Sequence, residues 1–314
     1  MILLLEPRRA PGFVSGGYRY QAEVMQRLAA RGEGELRAIA PSELAAVVAR
    51  TRQQRPGTAI VADGLFAALT QQPLPDQVVA LLHVVPERAP WASTPLRVIA
   101  TSQRTADAVR DAARSVTVVR PGLDACFVPG PARAAGDRLR VVCVGTISPG
   151  KGQHLLAASL ASSNAASRCE LVLVGDENAH RDHVAAVRVA AGRLPLQVRS
   201  ALSALEVAGE LQRADLFVSA SRSESFGMAV AEAAACGAPV LAFDTGEIRS
   251  FVQDGCNGWL LAAGASDAEF AAKLDALLMD APRLAAARRS PMRPRLETWD
   301  EVARSFARAC RDAA

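Results

Sequence analysis

The chain has 314 residues, of which 50% are apolar and 22% are charged, a balance typical of a folded globular protein and unlike that of a disordered one. This length is about twice that of a common domain, so two domains are expected. The net charge of +4 is too small for a nucleic-acid-binding protein or a polybasic membrane binder.

Short apolar runs alternate with longer amphipathic ones, as in β-α-β units built around parallel sheets. The predicted strands of the first half are residues 2–5, 59–62, 78–82, 97–100 and 116–119. The predicted helices of this half are residues 17–31, 43–50 and 102–113. Residues 120–131 then carry several prolines and glycines, which predicts a connection between two domains.

A second alternating series follows this connection. Its predicted strands are residues 139–144, 170–174, 196–199, 216–219, 239–242 and 258–261. Its predicted helices are residues 154–161, 183–191, 204–213, 226–236, 268–278 and 299–311. Because the strands are continuously apolar, each sheet is expected to be covered on both faces. The prediction is therefore an α/β protein with two Rossmann-like, doubly wound parallel-sheet domains facing a cleft, an N-terminal one over residues 1–125 and a second over 126–296.

The six cysteines are scattered without a CxxC pair, which indicates neither a disulfide framework nor a zinc site. We therefore expect a reducing, cytoplasmic location. The opening residues 1–6 turn acidic without a basic leader, so no signal peptide is expected. The longest apolar stretch, residues 226–243, contains Glu232, Gly237 and Pro239 and is not expected to span a membrane.

Two glutamates within residues 214–241 form the strongest candidate site. A predicted strand ends near Ser219, a polar loop carries Glu224, and a helix is expected to begin at about residues 225–227. The N-terminus of such a helix offers backbone N–H groups and a positive dipole end to an anion. If the intervening chain is mostly helical, Glu232 lies roughly 12 Å from Glu224, so the two carboxylates could bind hydroxyls on either side of a phosphate.

The alternative is that Glu224 is a solvated loop residue and Glu232 a surface helix residue. The helical neighbours of Glu232 are almost all Ala, Val or Met, and a carboxylate in such surroundings needs a partner. This setting favours a binding role.

The spacing Glu224-x7-Glu232, with Ser225-Phe-Gly-Met-Ala between and Gly237-Ala-Pro-Val after, resembles the retaining GT-B glycosyltransferases of family 4, the glycosyl transferases group 1. Further motifs in the same order are similar to that family and extend the resemblance over most of the chain. They are Val144-Gly-Thr-Ile-Ser-Pro-Gly-Lys151, Leu171-Val-Leu-Val-Gly-Asp176, Val119-Arg-Pro-Gly-Leu-Asp124 and Ala100-Thr-Ser-Gln-Arg-Thr-Ala106.

The resemblance implies a retaining hexosyltransferase that moves a hexose from a nucleotide diphosphate sugar, such as UDP-glucose or GDP-mannose, to an acceptor hydroxyl. The acceptor would be a small molecule, a glycan or a lipid-linked acceptor, and no nucleic acid partner is expected. No metal and no other cofactor are expected, because Lys151 and a helix N-terminus would balance the diphosphate. The terminal segment 297–314 with Trp299 would cross back to the N-terminal domain.

Position by position, the resemblance implies three catalytic residues, His83, Lys151 and Glu224. It places Glu232 at the nucleotide ribose, Glu224 and His83 at the transferred sugar, and Lys151 at the diphosphate. The other implied donor-binding residues are Gly16, Gly17, Thr146, Gly175, Ser225, Phe226, Gly227 and Met228.

Each of the other candidates has a structural alternative. Lys151 would otherwise be an exposed loop lysine and His83 a structural histidine at a strand end. The segment Asp63-Gly64-Leu65 either lines the acceptor side or caps a helix after a strand. The arginines of residues 283–295 are surface charge or a weak peripheral contact with anionic lipid, and His180-x-x-His183 is expected to lie on a solvated face.

The sequence also departs from the family pattern. Thr146 and Gly150 stand where many relatives carry an arginine, so one diphosphate cation is missing or is supplied by Arg222 or Arg8. Family members often carry a glycine pair and a glutamate in the loop after the strand predicted over residues 239–242. Residues 244–250, which form that loop here, keep only part of this pattern. These departures motivate a second hypothesis, a catalytically weakened nucleotide-sugar-binding or regulatory partner. A Rossmann dehydrogenase is disfavoured, because the first strand is not followed by GxGxxG.

Overall fold

The computed structural model describes residues 1–8, 15–87, 89–91, 94–130, 138–178, 180–200, 202–290 and 294–311. Pro131 of the predicted connection and Arg293 of the arginine-rich segment lie outside these residues. The chain divides into two compact units, one of Met1–Leu123 with Leu296–Ala314 and the other of Asp124–Arg295. The boundary between them therefore falls inside residues 120–131.

The first unit is built on a six-stranded parallel sheet in the order β2-β1-β3-β4-β5-β6. Its strands are β1 (Ile2–Pro7), β2 (Gly34–Ile39), β3 (Ala59–Asp63), β4 (Val79–Leu82), β5 (Arg97–Ala100) and β6 (Ser115–Val118). Its first four helices are α1 (Gly16–Ala30), α2 (Leu44–Gln54), α3 (Leu65–Thr70) and α4 (Gln103–Val109). All six residues of β1 are buried, as expected for a central strand covered on both faces.

The second unit has a six-stranded parallel sheet in the order β12-β11-β10-β7-β8-β9. Its strands are β7 (Leu139–Val144), β8 (Cys169–Val174), β9 (Leu196–Arg199), β10 (Leu216–Ser219), β11 (Val240–Phe243) and β12 (Gly258–Leu261). Its helices are α5 (Gln153–Ala161), α6 (Arg181–Ala191), α7 (Ala204–Gln212), α8 (Met228–Ala235), α9 (Asp267–Leu278) and α10 (Ala281–Arg288). The structure thus confirms the predicted fold class of parallel, Rossmann-like sheets.

The strand order reverses at one point in each sheet. In the first sheet the reversal lies between β1 and β3, and in the second between β7 and β10. In open α/β sheets, ligands bind beyond the carboxyl ends of the strands at such a switch point. The loops that follow these four strands are therefore where a ligand site is expected.

The last described helix, α11 (Trp299–Arg311), belongs to the first unit. Trp299 and Phe306 are buried, and their rings lie edge-on to Tyr20 of α1 at centroid distances of 6.1 and 6.3 Å. A Cβ on Gly122 would lie 2.8 Å from the backbone nitrogen of Trp299, so only glycine permits this close approach.

Each predicted strand is present, with bounds shifted by two residues or fewer. The sequence did not predict β2, whose residues alternate between charged and apolar and remain partly exposed. Nor did it predict the short helices α3 and α10. The predicted helix over residues 226–236 begins at Met228, because Gly227 adopts a left-handed φ of 91° directly before it.

No α-helix in the described part of the chain is both long enough and apolar enough to cross a lipid bilayer.

Candidate active site

The loops after β7 and β10 bring Lys151 and Glu224 together at the switch point of the second sheet. Lys151 ends a short 3-10 turn, Pro149–Lys151, and Glu224 follows β10 by five residues. Lys151 Nζ lies 2.5 Å from Glu224 Oε1. The Lys151 side chain is 38% exposed and that of Glu224 is 16% exposed, so this is a half-buried ion pair that solvent can reach.

Close backbone packing holds these two loops together. Gly152 has a φ of 68°, and a Cβ at this position would lie 2.3 Å from the carbonyl oxygen of Ala220. The buried Ser221 hydroxyl lies 3.3 Å from the Gly150 carbonyl oxygen and 3.0 Å from that of Ser223. The two loops that carry the ion pair are therefore packed against each other through their backbones.

The loop between β7 and Lys151 is fixed by Gln153. The Gln153 side chain is buried; its Nε2 donates to the Thr146 carbonyl oxygen at 2.9 Å, and its Oε1 accepts the Ser148 N–H at 3.4 Å. Gly175, the residue after β8, lies beneath this loop, where a Cβ would be 2.0 Å from the Gly145 carbonyl oxygen. The predicted phosphate loop is thus held by Gln153 at Thr146 and packs against Gly175 at Gly145. Gln153 lies two residues after Lys151 in the sequence, but the sequence did not predict its two hydrogen bonds to the loop.

The loop that carries Glu224 leads directly into the N-terminus of α8. The Phe226 ring is buried and lies edge-on to Phe251 at a centroid distance of 5.0 Å. Gly227 is the N-cap of α8, and Met228 is its first residue. The first amides of an α-helix have no acceptor within the helix and can bind an anion. Ser225 is half-buried directly ahead of them.

Gly246, in the loop after β11, packs closely against the backbone of the loop that carries Glu224. It has a φ of 58°, and a Cβ there would lie 2.5 Å from the Glu224 carbonyl oxygen and 2.6 Å from that of Ser225. The partial family pattern over residues 244–250 therefore retains the glycine that this contact requires.

Glu232 lies within α8 and is 4% exposed, so it is not the surface residue of the alternative reading. Because the helix begins at Met228, only four helical steps, about 6 Å, separate its start from Glu232. The expected distance of roughly 12 Å between Glu224 and Glu232 assumed that the interval is mostly helix, whereas residues 225–227 lie before the helix.

Arg222 is engaged by other residues in this structure. Its Nη1 donates to the Ala265 carbonyl oxygen at 2.5 Å, its Nη2 lies 2.6 Å from Asp267 Oδ1, and its guanidinium lies 4.4 Å from the centroid of the Phe243 ring. Arg8, the other suggested source, lies 4.0 Å from Glu43 in the first unit. Both suggested sources of the missing cation are thus paired with carboxylates in this structure, and a role for either at the diphosphate stays a prediction.

The charges of Lys151 and Glu224 act on the buried thiol of Cys143 in β7. Burial raises the pKa of Cys143 to about 12, while Lys151 lowers it and Glu224 raises it further. The thiol is therefore neutral at physiological pH and is not a nucleophile.

The first unit carries His83, Gly16 and Gly17 at the carboxyl end of its sheet. Gly16 is the first residue of α1, which Ser15 caps. A Cβ on Gly17 would lie 3.0 Å from His83 Cδ2, so the glycine permits contact between α1 and the imidazole. His83 Nε2 lies 3.0 Å from the amide nitrogen of Gln21, a residue that the sequence analysis missed.

Asp63 also contacts this group. Its Oδ1 accepts the Leu65 N–H at 2.9 Å, as a helix-capping carboxylate does, and its Oδ2 accepts a hydrogen bond from Gln21 Nε2. The capping alternative is thus present, together with a contact to Gln21 that the sequence did not predict.

The other three histidines belong to the second unit. The His183 ring lies edge-on to that of His154 at a centroid distance of 5.3 Å, and His180 precedes α6 instead of lying within it. In the described part of the chain, no group of three or more His, Cys, Asp or Glu is arranged to hold a metal ion.

Most of the second unit matches a known family model. Residues 138–280 match the family model described as glycosyl transferases group 1. A D-inositol 3-phosphate glycosyltransferase from Stackebrandtia nassauensis is 33% identical over 191 residues, which is 54% of this chain and 42% of that protein. One from Kineococcus radiotolerans is 32% identical over 231 residues, 63% of this chain and 53% of that protein. The chain thus spans about half the length of the curated relatives it matches.

Solved structures match almost the whole chain. Sucrose-phosphate synthase from Thermosynechococcus elongatus has a TM-score of 0.75 at 18% identity and covers 99% of this chain and 98% of its own. HepE from Anabaena, in complex with UDP, has a TM-score of 0.70 at 21% identity and covers 99% of both chains. At this identity the likeness shows the fold. The chain therefore has the GT-B fold, and residues 138–280 of its second unit match the model of the glycosyl transferases group 1.

Proposed function

We propose that this chain is a retaining hexosyltransferase that moves a hexose from a nucleotide diphosphate sugar to an acceptor hydroxyl without an obligatory metal. The observation that carries the proposal is the Lys151–Glu224 pair at the switch point of the second sheet, in which Glu224 comes just before the first amides of α8 in the chain. This arrangement suits a dianion with a polyhydroxyl group attached, because it offers donors to the anion and an acceptor to the hydroxyls.

The roles proposed for the second unit follow the chemistry of its groups. Lys151 and the amides of Phe226, Gly227 and Met228 would bind the diphosphate and stabilise the charge that develops on it as it leaves. Glu224 would accept hydrogen bonds from the sugar hydroxyls. Glu232 would bind the ribose, with Ser225, Thr146 and Gly175 lining the phosphate loop.

The ion pair also suggests how the donor is received. In the structure, Lys151 and Glu224 neutralise one another. A diphosphate offers Lys151 a more highly charged partner, which would free the Glu224 carboxylate for the sugar. In the first unit, His83 is proposed to contact the transferred sugar, and Gly16 and Gly17 to allow close approach to the phosphates.

A second candidate function is a nucleotide-sugar-binding or regulatory partner with weakened catalysis. The observation that favours it is the low cationic charge of the phosphate loop, where Thr146 and Gly150 replace arginine and Arg222 is engaged elsewhere.

One experiment separates the two. A thermal-shift panel of UDP, GDP, ADP and TDP with their sugars should show one base that stabilises the protein most, because stabilisation rises as RT ln(1 + [L]/Kd). The same donor is then followed for release of the nucleoside diphosphate. Release that collapses in Glu224→Ala supports the transferase; binding without release supports the partner protein. A panel without any shift would contradict both.

A further inference from the structure

Gln21, Asp63 and His83 form a polar cluster at the carboxyl edge of the first sheet. Gln21 is 0% exposed and Asp63 is 5% exposed, while His83 is half-buried. The amide nitrogen of Gln21 contacts both other side chains, donating to Asp63 Oδ2 and lying 3.0 Å from His83 Nε2. The cluster therefore links α1 to the residues that end β3 and follow β4.

Asp63 determines which way the Gln21 amide faces. Its Oδ1 accepts the Leu65 N–H at 2.9 Å, and this bond fixes the orientation of the carboxylate. An ionised carboxylate only accepts hydrogen bonds. The NH₂ end of the amide, and not its carbonyl oxygen, must therefore face Oδ2, since two acceptors would repel each other.

Gln21 in turn determines where His83 carries its proton. The amide NH₂ has two hydrogens; one is donated to Asp63, and the second is directed at His83 Nε2. A hydrogen bond at that position requires a lone pair on Nε2, so the proton of the neutral ring is on Nδ1. Protonating the ring would place an Nε2–H against an amide N–H.

The surroundings of the ring favour the same state. Burial lowers the pKa of His83, and the charge of Asp63 opposes this effect. The other titratable group described against the ring is Tyr20, at a centroid distance of 5.4 Å, and burial raises the pKa of its hydroxyl so that it remains neutral. Gln21 occupies Nε2 of the ring, so Nδ1 is the nitrogen that can offer a donor to another group.

This arrangement has a cost in hydrogen bonding. Gln21 Oε1 is buried and has no partner among the described residues. A buried acceptor left unsatisfied costs about 1–3 kcal/mol, and such exceptions are uncommon in folded proteins. The structure therefore keeps the orientation of the amide at the expense of one hydrogen bond.

We propose that Gln21 and Asp63 are positioning residues that hold His83 as a neutral imidazole with its proton on Nδ1, a fixed donor for a hydroxyl of the transferred sugar. The role toward the sugar depends on the function proposed above. The tautomer does not, because every group that sets it belongs to the first unit.

The tautomer can be measured by long-range ¹H–¹⁵N NMR of the whole ligand-free chain, whose four histidines give a simple spectrum. A His83→Asn variant identifies the signals of His83. The wild type is expected to show the Nδ1–H form between pH 6 and 8. In Asp63→Asn, the new amide can donate to Gln21 Oε1, so the Gln21 amide turns over and the ring changes to the Nε2–H form.

Asp107→Asn is the matched control, because Asp107 is an exposed aspartate on α4 that pairs with Arg110. It should leave the His83 signals unchanged. If Asp63→Asn does not fold, Gln21→Met removes the amide with little change in size, and the Nδ1–H fraction should fall. A wild-type ring that is protonated or in the Nε2–H form at pH 7, or one that neither variant alters, overturns the proposal.

The kinetic test separates this inference from the proposed function. With an active donor, Asp63→Asn should lower kcat about tenfold while the donor KM changes less than about twofold, since His83 is proposed to act at the sugar and Asp63 contacts none of the groups proposed to hold the nucleotide. An equal loss of kcat in Asp107→Asn would contradict a positioning role. If the wild type turns over no donor, the proposed function fails, and the NMR result still decides the tautomer.

Discussion

Lys151 Nζ lies 2.5 Å from Glu224 Oε1, so the one lysine in the predicted phosphate loop is already paired with the carboxylate proposed to bind the sugar. The pair is half-buried, and its partners come from two loops joined by close backbone contacts. Any anion that binds here must compete with Glu224 for the ammonium. The affinity of the site for a diphosphate therefore depends on both residues.

Replacing Lys151 by methionine should weaken binding of the preferred nucleoside diphosphate about 10- to 100-fold, because a charge-assisted hydrogen bond of about 1.5–3 kcal/mol is lost. Isothermal titration calorimetry measures this change. Lys273→Met on α9 is the control, since it removes the only other lysine in the chain. Wild-type affinity in Lys151→Met would contradict the proposed role.

Replacing Arg222 by alanine should lower the free energy of unfolding by about 1 kcal/mol, because the contacts with Phe243 and Asp267 are lost. Diphosphate affinity should change less than about threefold, since the guanidinium is engaged away from the phosphate loop. Urea denaturation and calorimetry on the same sample check both values. A loss of affinity as large as that of Lys151→Met would show that Arg222 moves to the anion.

Replacing Gly175 by alanine should destabilise the second unit by about 2–3 kcal/mol, because the new Cβ would lie 2.0 Å from the backbone oxygen of Gly145 and neither backbone can give way easily. Gly150→Ala is the matched control in the adjoining loop, where a Cβ meets nothing within 4 Å. Chemical denaturation compares the two. Equal stability would mean that the Gly145 loop can shift freely.

The buried Glu210 on α7 gives the protein a specific acid sensitivity. Its side chain is 1% exposed and is bound by Arg140, Arg199 and Arg213. Burial alone would raise the pKa of Glu210, but its hydrogen bonds and ion pairs with arginines outweigh burial and lower the pKa below its usual value of 4.5. The ionised form therefore adds stability above the unfolded pKa, and that stability is lost as pH falls through the folded pKa.

Glu210→Gln should cost about 2 kcal/mol at pH 7, and the cost should shrink as pH falls through the folded pKa of Glu210, where the wild type also loses the charge. Denaturation curves over a series of falling pH values give the difference. Glu177→Gln, which removes a surface partner of Arg188, serves as control and should cost less than about 0.5 kcal/mol throughout the series. A Glu210→Gln penalty that grows as pH falls would reverse the expected sign.

Apolar runs predicted the two sheets because parallel strands buried on both faces cannot contain many polar residues. The edge strand β2 was not predicted because it is partly exposed and its run is not apolar. Its Glu35 and Arg37 side chains pair with each other. The start of α8 was placed too early because the left-handed φ of Gly227 is not visible in an apolar pattern.

The candidate site was predictable where motifs follow strands, and less so where side chains meet across the sequence. Lys151 and Glu224 were each identified as site residues, but their pairing joins positions 73 apart in the chain. Gln21 carried no signal, because a glutamine inside an amphipathic helix looks like any polar helical residue. Its role emerges only when α1 packs against Asp63 and His83.

The contact of Gly246 with the Glu224 and Ser225 carbonyl oxygens has a consequence for motion. The backbones after β10 and β11 touch so closely at this point that neither loop can be displaced alone. A ligand that pulls Glu224 toward it must carry both loops along as a single body. Crystals soaked with ligand, or hydrogen-exchange protection, should therefore show the two loops responding in concert.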